Sequence, residues 1–435
     1  MDKEQQKIRL SALFNAGKLG IEPGKLTGSV SVPQSKSVAH RALIMAFLAG
    51  DVSLAKVDLE HASDDILATR AALLKLQEYA DRKEMSEDDT PLQIDCKESG
   101  STLRFLIPLV AVLGIPTCFV GHGRLPNRPI KEYEGVFENS GAQMIYRDEN
   151  GLSLPLEIKG KMRAGEYTLP GNVSSQYISG LLMALSHEQE ASRIRLSTKL
   201  ESEPYVNMTL DVMRAFGCEV VSEKGGYYLT GAPKTKRESA FAIEADYSQA
   251  AFWLVADYLG SAVVLPDLPS KTAQGDQAIE TLLAGLRKAG RKEGGEKIFE
   301  MDASDVPDLV PVFAVAAAAT DCETHIVHAE RLALKESDRL ASTAGMLRVL
   351  GADVEVFRDG MTIRGKHYAP GERVFSGGTI DTHKDHRLVM ASAVAATVAK
   401  DTIWIKDPVA VEKSYPTFFE EYLDLGGNIH GINVG

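Results

Sequence analysis

The chain has 435 residues, too many for one ordinary core and enough for two large domains. Its composition is that of a soluble globular protein and its formal net charge is −12. That balance argues against a nucleic-acid-binding protein, which needs a basic face, but leaves room for a basic pocket inside an acidic shell.

In chain order, the opening MDKEQQKIRL carries acids and lacks an apolar stretch, so it does not read as a signal peptide. The four cysteines, Cys96, Cys118, Cys218 and Cys322, stand far apart with no CxxC pair. Neither a disulfide framework nor a zinc site is expected, and a reducing compartment fits. The alanine-rich stretch 310–320 is too short to span a bilayer. A cytoplasmic enzyme or binding protein is expected.

Six segments share one form, a polar cluster followed at once by a long apolar helical run. They begin at Ser35-Lys36-Ser37, Ser99-Gly100-Ser101, Ser174-Ser175-Gln176, Asp246-Tyr247-Ser248, Asp305-Val306-Pro307-Asp308 and Lys384-Asp385-His386-Arg387. The runs that follow are apolar nearly all round, which predicts buried helices. Between them recurs an amphipathic helix, a glycine, then strand, turn and strand. FENSGAQMIYRDENGLSLPLEI, MRAFGCEVVSEKGGYYLTG and MLRVLGADVEVFRDGMTIRG show it, with Gly141 closing the first helix. Gly225-Gly226 and Asp359-Gly360 are hairpin signals, and LDLGGNIHGINV is a truncated copy. Each unit therefore reads strand–helix–strand–helix–strand–strand, six times over, with three buried helices packed inside each of two shells. The charged stretches near 80–90 and 286–298 read as surface loops.

The polar clusters have a physical meaning. Ser and Asp are favoured helix caps, and a helix start offers free N–H groups and a positive dipole end. Capping explains the serines. It does not explain why lysine and arginine gather at the same places, which suits an anionic ligand.

From about Lys25 to the C-terminus these motifs, in this order, resemble the 5-enolpyruvylshikimate-3-phosphate synthase family. The resemblance implies an α/β fold of two inside-out domains, each of three βαβαββ repeats around buried parallel helices. It implies a shikimate-phosphate-binding domain at 35–244. The second domain, 1–34 plus 245–435, would carry much of the phosphoenolpyruvate site. The implied reaction moves the enolpyruvyl (carboxyvinyl) group of phosphoenolpyruvate to the 5-hydroxyl of shikimate 3-phosphate, releasing phosphate, in chorismate and aromatic amino acid biosynthesis. The implied protein is a monomer that uses no cofactor or metal and is a target of glyphosate.

The motifs carry the implied residues over one by one. In VPQSKSVAHR, Lys36 contacts phosphoenolpyruvate and belongs to the catalytic set, while Ser37 and Arg41 hold shikimate 3-phosphate. In ESGSTLR, Gly100 lets the backbone approach phosphoenolpyruvate. In GRLPNRP, Arg124 is a phosphoenolpyruvate ligand and Arg128 a brace. In PGNVSSQY, Ser174 and Ser175 cradle the phosphate and Gln176 lies between both substrates. In SEPY, Ser202 binds phosphate and Tyr205 walls the ring. Further on, Asp308 is the implied base, and Lys335, Glu336 and Arg339 of KESDRL are active-site positions. Arg387 and Lys413 complete the set. Asp308, Glu336, Lys36 and Lys413 would be catalytic, with Glu336 and Lys413 moving a proton at C3.

The sequence departs from the family at Gln34, where glycine is usual, at Glu98, where asparagine is usual, and at Phe105, where some members have proline. The rival reading within the fold is enolpyruvyl transfer to a UDP-amino sugar. Enzymes of that kind generally carry a cysteine one residue before the position of Arg124, and Gly123 stands here. A pure phosphate-binding protein would gain nothing from Asp308 and Glu336, and no GxxxxGK[ST] motif supports a kinase.

Overall fold

The six apolar runs fold as helices that lose nearly all their surface to the interior. In a computed structural model, which describes residues 10, 13–14, 17–83, 90–138, 140–231, 239–366 and 372–431, they divide equally between two units. One unit is Gln34–Glu244 and holds α1 (Lys36–Leu48), α2 (Gly100–Leu113) and α3 (Ser175–Leu185). The other joins Met1–Pro33 to Ala245–Gly435 and holds α4 (Tyr247–Tyr258), α5 (Val310–Ala318) and α6 (His386–Ala396). Every residue of α5 and α6 is buried. Such helices gain their stability from tertiary packing rather than from one apolar stripe.

Five of the six polar clusters do cap their helices. The side chains of Ser35, Ser99, Ser174, Asp246 and Asp385 each accept from a backbone N–H two or three residues further on, in the first turn. The sixth helix, α5, is entered from a 3₁₀ turn at Pro307–Leu309 instead, where proline fixes the backbone.

Four sheets of four strands surround these helices, and they share one plan. In Gln34–Glu244 one sheet runs Leu92–Asp95, Thr117–Val120, Leu156–Gly160, Ala142–Tyr146, and the other Glu166–Leu169, Ser192–Leu196, Gly226–Leu229, Val220–Glu223. In the second unit one sheet runs Ile298–Asp302, Glu323–Val327, Gly360–Arg364, Asp353–Phe357. In each, the first pair is parallel and the rest antiparallel. The repeat reaches single atoms. A Cβ on Gly226 would sit 2.0 Å from the Ile194 carbonyl oxygen, and one on Gly360 would sit 2.0 Å from that of Ile326. The second hairpin glycine is therefore demanded by close backbone approach.

The α/β architecture is the expected one, but the full strand complement holds in four of the six repeats. The fourth sheet runs Gly378–Ile380, Ile403–Lys406, Lys18–Glu22, Asn428–His430. The N-terminal strand thus supplies the strand missing from the truncated C-terminal copy. Among the described residues the first repeat of each unit keeps only a parallel pair, and the pairs are exchanged. Thr27–Ser29, which precedes α1, pairs with Ala262–Val264, which follows α4; Phe241–Ala242, which precedes α4, pairs with Ala55–Lys56, which follows α1. Two expected loops are also shorter than 80–90 and 286–298. The helix Asp64–Lys83 covers the start of the first, and residues 84–89 lie outside those described. The helix Ala278–Gly290 covers the start of the second because Ile279, Leu283 and Leu286 form its buried stripe.

Candidate active site

The starts of α1, α2 and α3 bring the first set of expected residues together. Arg41, one turn into α1, is 2 % exposed. Its Nε donates to Thr209 Oγ1 at 2.7 Å, its Nη1 to the Ser37 carbonyl at 2.7 Å, and its Nη2 to the Tyr205 carbonyl at 3.0 Å and Ser179 Oγ at 3.4 Å. All four acceptors are neutral, and Arg41 has no carboxylate partner among the described residues. Burial pulls its pKa down to about 10, so it stays charged at neutral pH. Ser37, Arg41 and Tyr205 thus form one joined patch. Beside it, Ser202 opens the helix Glu203–Ala215 with φ +54, a left-handed backbone that costs energy for a serine.

At the neighbouring helix starts Gln176 is clamped from two sides. Arg104 Nη1 donates to its Oε1 at 2.8 Å, and its Nε2 donates to Ser101 Oγ at 2.8 Å. Arg104 also donates to the Pro129 carbonyl at 3.1 Å and lies over the Tyr177 ring. A Cβ on Gly100 would meet Arg128 Nη1 at 2.8 Å and Arg104 Nη1 at 3.0 Å, so two guanidinium groups close on this glycine. Ser174 caps α3 through the Gln176 N–H at 3.3 Å, and Ser175 is buried next to it. Lys36 Nζ meets Asp65 at 2.9 Å. Behind these groups a buried chain runs from His40 Nδ1 to Thr69 Oγ1 (2.8 Å), to Thr102 Oγ1 (2.7 Å), to the capping Ser99 Oγ (2.8 Å). Burial, with help from Lys36 and Arg41, pushes the His40 pKa well below its ordinary value, so the ring is neutral.

Arg124 is exposed and leads the 3₁₀ turn Leu125–Asn127. Before it, Gly123 adopts φ +58, and a Cβ there would lie 2.5 Å from the Glu98 carboxylate carbon. The left-handed backbone favours glycine at position 123, and any side chain there would also have to displace the end of Glu98.

The second unit gathers most of the remaining residues into a partly buried ionic cluster. Asp308 Oδ1 accepts from Arg339 Nη1 at 2.8 Å and from Lys335 Nζ at 3.4 Å; its Oδ2 accepts from Arg387 Nη2 at 2.9 Å. Arg339, 1 % exposed, also donates from Nη2 to Glu336 at 2.6 Å and from Nε to Asp385 at 2.9 Å. Asp385 further accepts from Ser337 Oγ at 3.0 Å and from the Arg387 N–H at 2.9 Å. Three acids, Asp308, Glu336 and Asp385, face three cations, Lys335, Arg339 and Arg387. Burial alone would raise the Asp308 carboxyl, but Arg387, Lys335 and Arg339 outweigh it and hold it well below the carboxylate range. Burial lowers the Lys335 pKa against the pull of Asp308. Burial would also raise Asp385, yet Arg339 and His386 keep it low. His383 and Lys384, just before this cap, both have positive φ. Lys413 ends the turn Pro408–Lys413 and donates to the Lys384 carbonyl at 3.2 Å.

Four groups in these constellations escape a reading of the sequence. Asp65 and Asp385 are the counter-ions of Lys36 and Arg339, and Arg104 and Ser101 are the clamp on Gln176. Arg104 alone carried a signal, an arginine one turn into an apolar helix, as Arg41 is. Among the described residues no cluster of His, Cys, Asp and Glu is arranged to hold a metal ion, and no helix is long and apolar enough to cross a membrane.

The chain was compared with known proteins. Residues 21–422 match the family model described as EPSP synthase (3-phosphoshikimate 1-carboxyvinyltransferase). A 3-phosphoshikimate 1-carboxyvinyltransferase of Clostridium perfringens is 38 % identical over 433 residues, covering 95 % of this chain and 99 % of that protein. One from Clostridium beijerinckii is 38 % identical, covering 96 % of this chain and all of that protein. Among solved structures, the EPSP synthase of Acinetobacter baumannii superposes with a TM-score of 0.73 at 23 % identity, covering 95 % of this chain and 99 % of that one. The enolpyruvyl transferase NikO of Streptomyces tendae shares the fold with a TM-score of 0.65 at 14 % identity, covering 95 % and 98 %.

Proposed function

The chain belongs to the EPSP synthase (3-phosphoshikimate 1-carboxyvinyltransferase) family, and from that premise we propose that it transfers the enolpyruvyl group of phosphoenolpyruvate to the 5-hydroxyl of shikimate 3-phosphate. The 5-hydroxyl oxygen bonds to C2 of phosphoenolpyruvate while C3 takes up a proton. C3 then loses a proton, the C2–O bond to phosphate breaks, and the vinyl group returns as inorganic phosphate leaves.

The observation that carries this reading is the mixed cluster of carboxylates and cations around Asp308. A site built only to hold anions would not place three carboxylates among its cations. In the proposed mechanism Asp308 removes the hydroxyl proton. Its carboxylate is a poor base while three cations hold it. Phosphoenolpyruvate, with its carboxylate and phosphate, draws Arg387, Arg339 and Lys335 to itself and so raises the proton affinity of Asp308 as the substrate arrives. Glu336 and Lys413 move the proton at C3. Lys36, Gly100 and Arg124 complete the phosphoenolpyruvate contacts. Ser37, Arg41, Ser174, Ser175, Gln176, Ser202 and Tyr205 take shikimate 3-phosphate, whose phosphate supplies the anion that buried Arg41 lacks. We also propose a cytoplasmic monomer.

Transfer to a UDP-amino sugar is disfavoured because Gly123 stands where such enzymes generally carry a cysteine. The deciding assay is phosphate release from phosphoenolpyruvate. Release is expected with shikimate 3-phosphate as acceptor. Release with a UDP-amino sugar, or none with either acceptor, would refute the proposal.

A further inference from the structure

The helix Asp64–Lys83 has two faces of unlike purpose. Ile66, Thr69, Leu73 and Leu76 are buried against its own unit. On the other face Leu67, Arg70 and Leu74 follow at helical spacing, and the leucines are 42 % and 36 % exposed. Leu74 lines a concavity, and Leu67 lies outside it. The concavity is a cavity of about 430 Å³ between this helix, the C-terminal end of α1 and the segment 50–59. That volume lies within the range of small-molecule sites, roughly 300–1,000 Å³.

Its lining is mixed in a telling way. Leu43, Val52, Leu59 and Leu74 form an apolar floor, and Arg70 and Lys56 add two cations. The Arg70 side chain is half-buried yet makes no hydrogen bond or ion pair among the described residues. The acid of the lining, Asp51, is engaged by the Ser53 N–H at 2.8 Å. A half-buried guanidinium without a partner, over an apolar floor, fits one chemistry: an apolar body bearing one carboxylate, which arginine pairs through two parallel hydrogen bonds. None of the residues assigned to catalysis or substrate binding lines this cavity.

We propose that this cavity is a second binding site, separate from the catalytic residues, for a small aryl or alkyl monocarboxylate held by Arg70 and seated on Leu43, Leu59 and Leu74. Leu43 lies on α1 two residues after Arg41, so an occupant contacts the helix whose start carries the shikimate-phosphate residues.

The probe is 3-phenylpropionate, titrated calorimetrically into the full chain, with the neutral 3-phenylpropionamide as its control. Saturable millimolar binding is expected for the acid. Binding should be weaker by roughly tenfold or more for the amide, and by a similar factor for the acid on Arg70→Gln, the scale of one charge-assisted pair. Arg70→Gln should keep wild-type turnover, which certifies its fold. A second variant, Leu74→Asn at a partly exposed position, should weaken both probes. No saturable binding to the wild-type chain, equal binding of acid and amide, or undiminished binding to Arg70→Gln would each overturn the proposal, the last by placing the acid on other cations.

Discussion

Asp308→Asn tests the proposed mechanism at its centre. The substitution keeps size and shape but removes the charge that three cations share, at 2.8 Å from Arg339, 2.9 Å from Arg387 and 3.4 Å from Lys335. Glu336 and Asp385 then remain among the three cations. Removing one partner of a buried ion pair costs about 3–5 kcal/mol, and the 20 % exposure of the Asp308 side chain puts the expected loss near the lower end. For a unit of this size that is a melting point lower by roughly 6–12 °C. Loss of the base should lower kcat by about 10²–10⁴. The same change frees three cations for an incoming anion, so KM for phosphoenolpyruvate should stay level or fall. Phosphate at a fixed concentration should also raise the melting point of the variant more than that of the wild type. Differential scanning calorimetry with and without phosphate, together with steady-state phosphate release, reads all of these. An unchanged kcat with a KM raised tenfold would refute the reasoning, because Asp308 would then be a substrate ligand and not the base.

Other outcomes follow from single contacts. Arg41→Lys cannot serve four separated acceptors, so KM for shikimate 3-phosphate should rise roughly tenfold or more, with KM for phosphoenolpyruvate changed less, in initial-rate measurements. Gly226→Ala and Gly360→Ala each force a methyl to 2.0 Å from a carbonyl oxygen and should each cost more than about 2 kcal/mol in denaturant unfolding. Gly345→Ala, in a helix interior with open space at its Cβ, should add up to about 1 kcal/mol in the same measurement. Asp308 and Asp385 are held below the ordinary carboxylate pKa of about 4, so as pH falls the unfolded chain binds those protons first. Their stabilisation is therefore complete above about pH 4 and is lost below it as pH falls through the folded-state values; acid titration of Asp385→Asn should show a flatter decline there than wild type. Gly100→Ala would press on Arg128 at 2.8 Å and Arg104 at 3.0 Å, and should raise the glyphosate inhibition constant more than KM for phosphoenolpyruvate, read by inhibition at varied phosphoenolpyruvate.

What the sequence discloses is what local physics writes into it. The serine and aspartate caps, the wholly buried helices and the hairpin glycines depend on neighbours within a few residues, and they are legible. Pairing across the chain is not. Nothing near Lys18–Glu22 announces that it completes a sheet with Ile403–Lys406 and Asn428–His430, because that choice is made by partners about 400 residues away. The exchanged pairs at Thr27–Ser29 and Phe241–Ala242 are hidden for the same reason. In the candidate site the cations stand out because lysine and arginine are unusual at the start of an apolar helix. Their counter-ions do not, since Asp65 and Asp385 occupy positions where a carboxylate is an ordinary first-turn or capping residue.

Arg41 and the Asp308 cluster meet the cost of burying cations in opposite ways, and the difference bears on where the acid–base chemistry is proposed. Arg41 is surrounded by hydroxyls and carbonyls, which satisfy its N–H groups but leave its charge uncancelled. An anion docking there meets an unopposed field, and no nearby carboxylate in its hydrogen-bonded shell changes basicity as it binds. That arrangement suits holding a phosphate and nothing more. Around Asp308 the cations are already matched by carboxylates. An anion entering that cluster has to compete for the same guanidinium and ammonium groups, and whatever attraction it gains the carboxylates lose. Their pKa values therefore rise as the substrate binds, by linkage, so a resting carboxylate too weak to act as a base becomes one when its substrate is present. On the proposed mechanism the proton-transfer groups are Asp308, Glu336 and Lys413, and Arg41 serves binding alone.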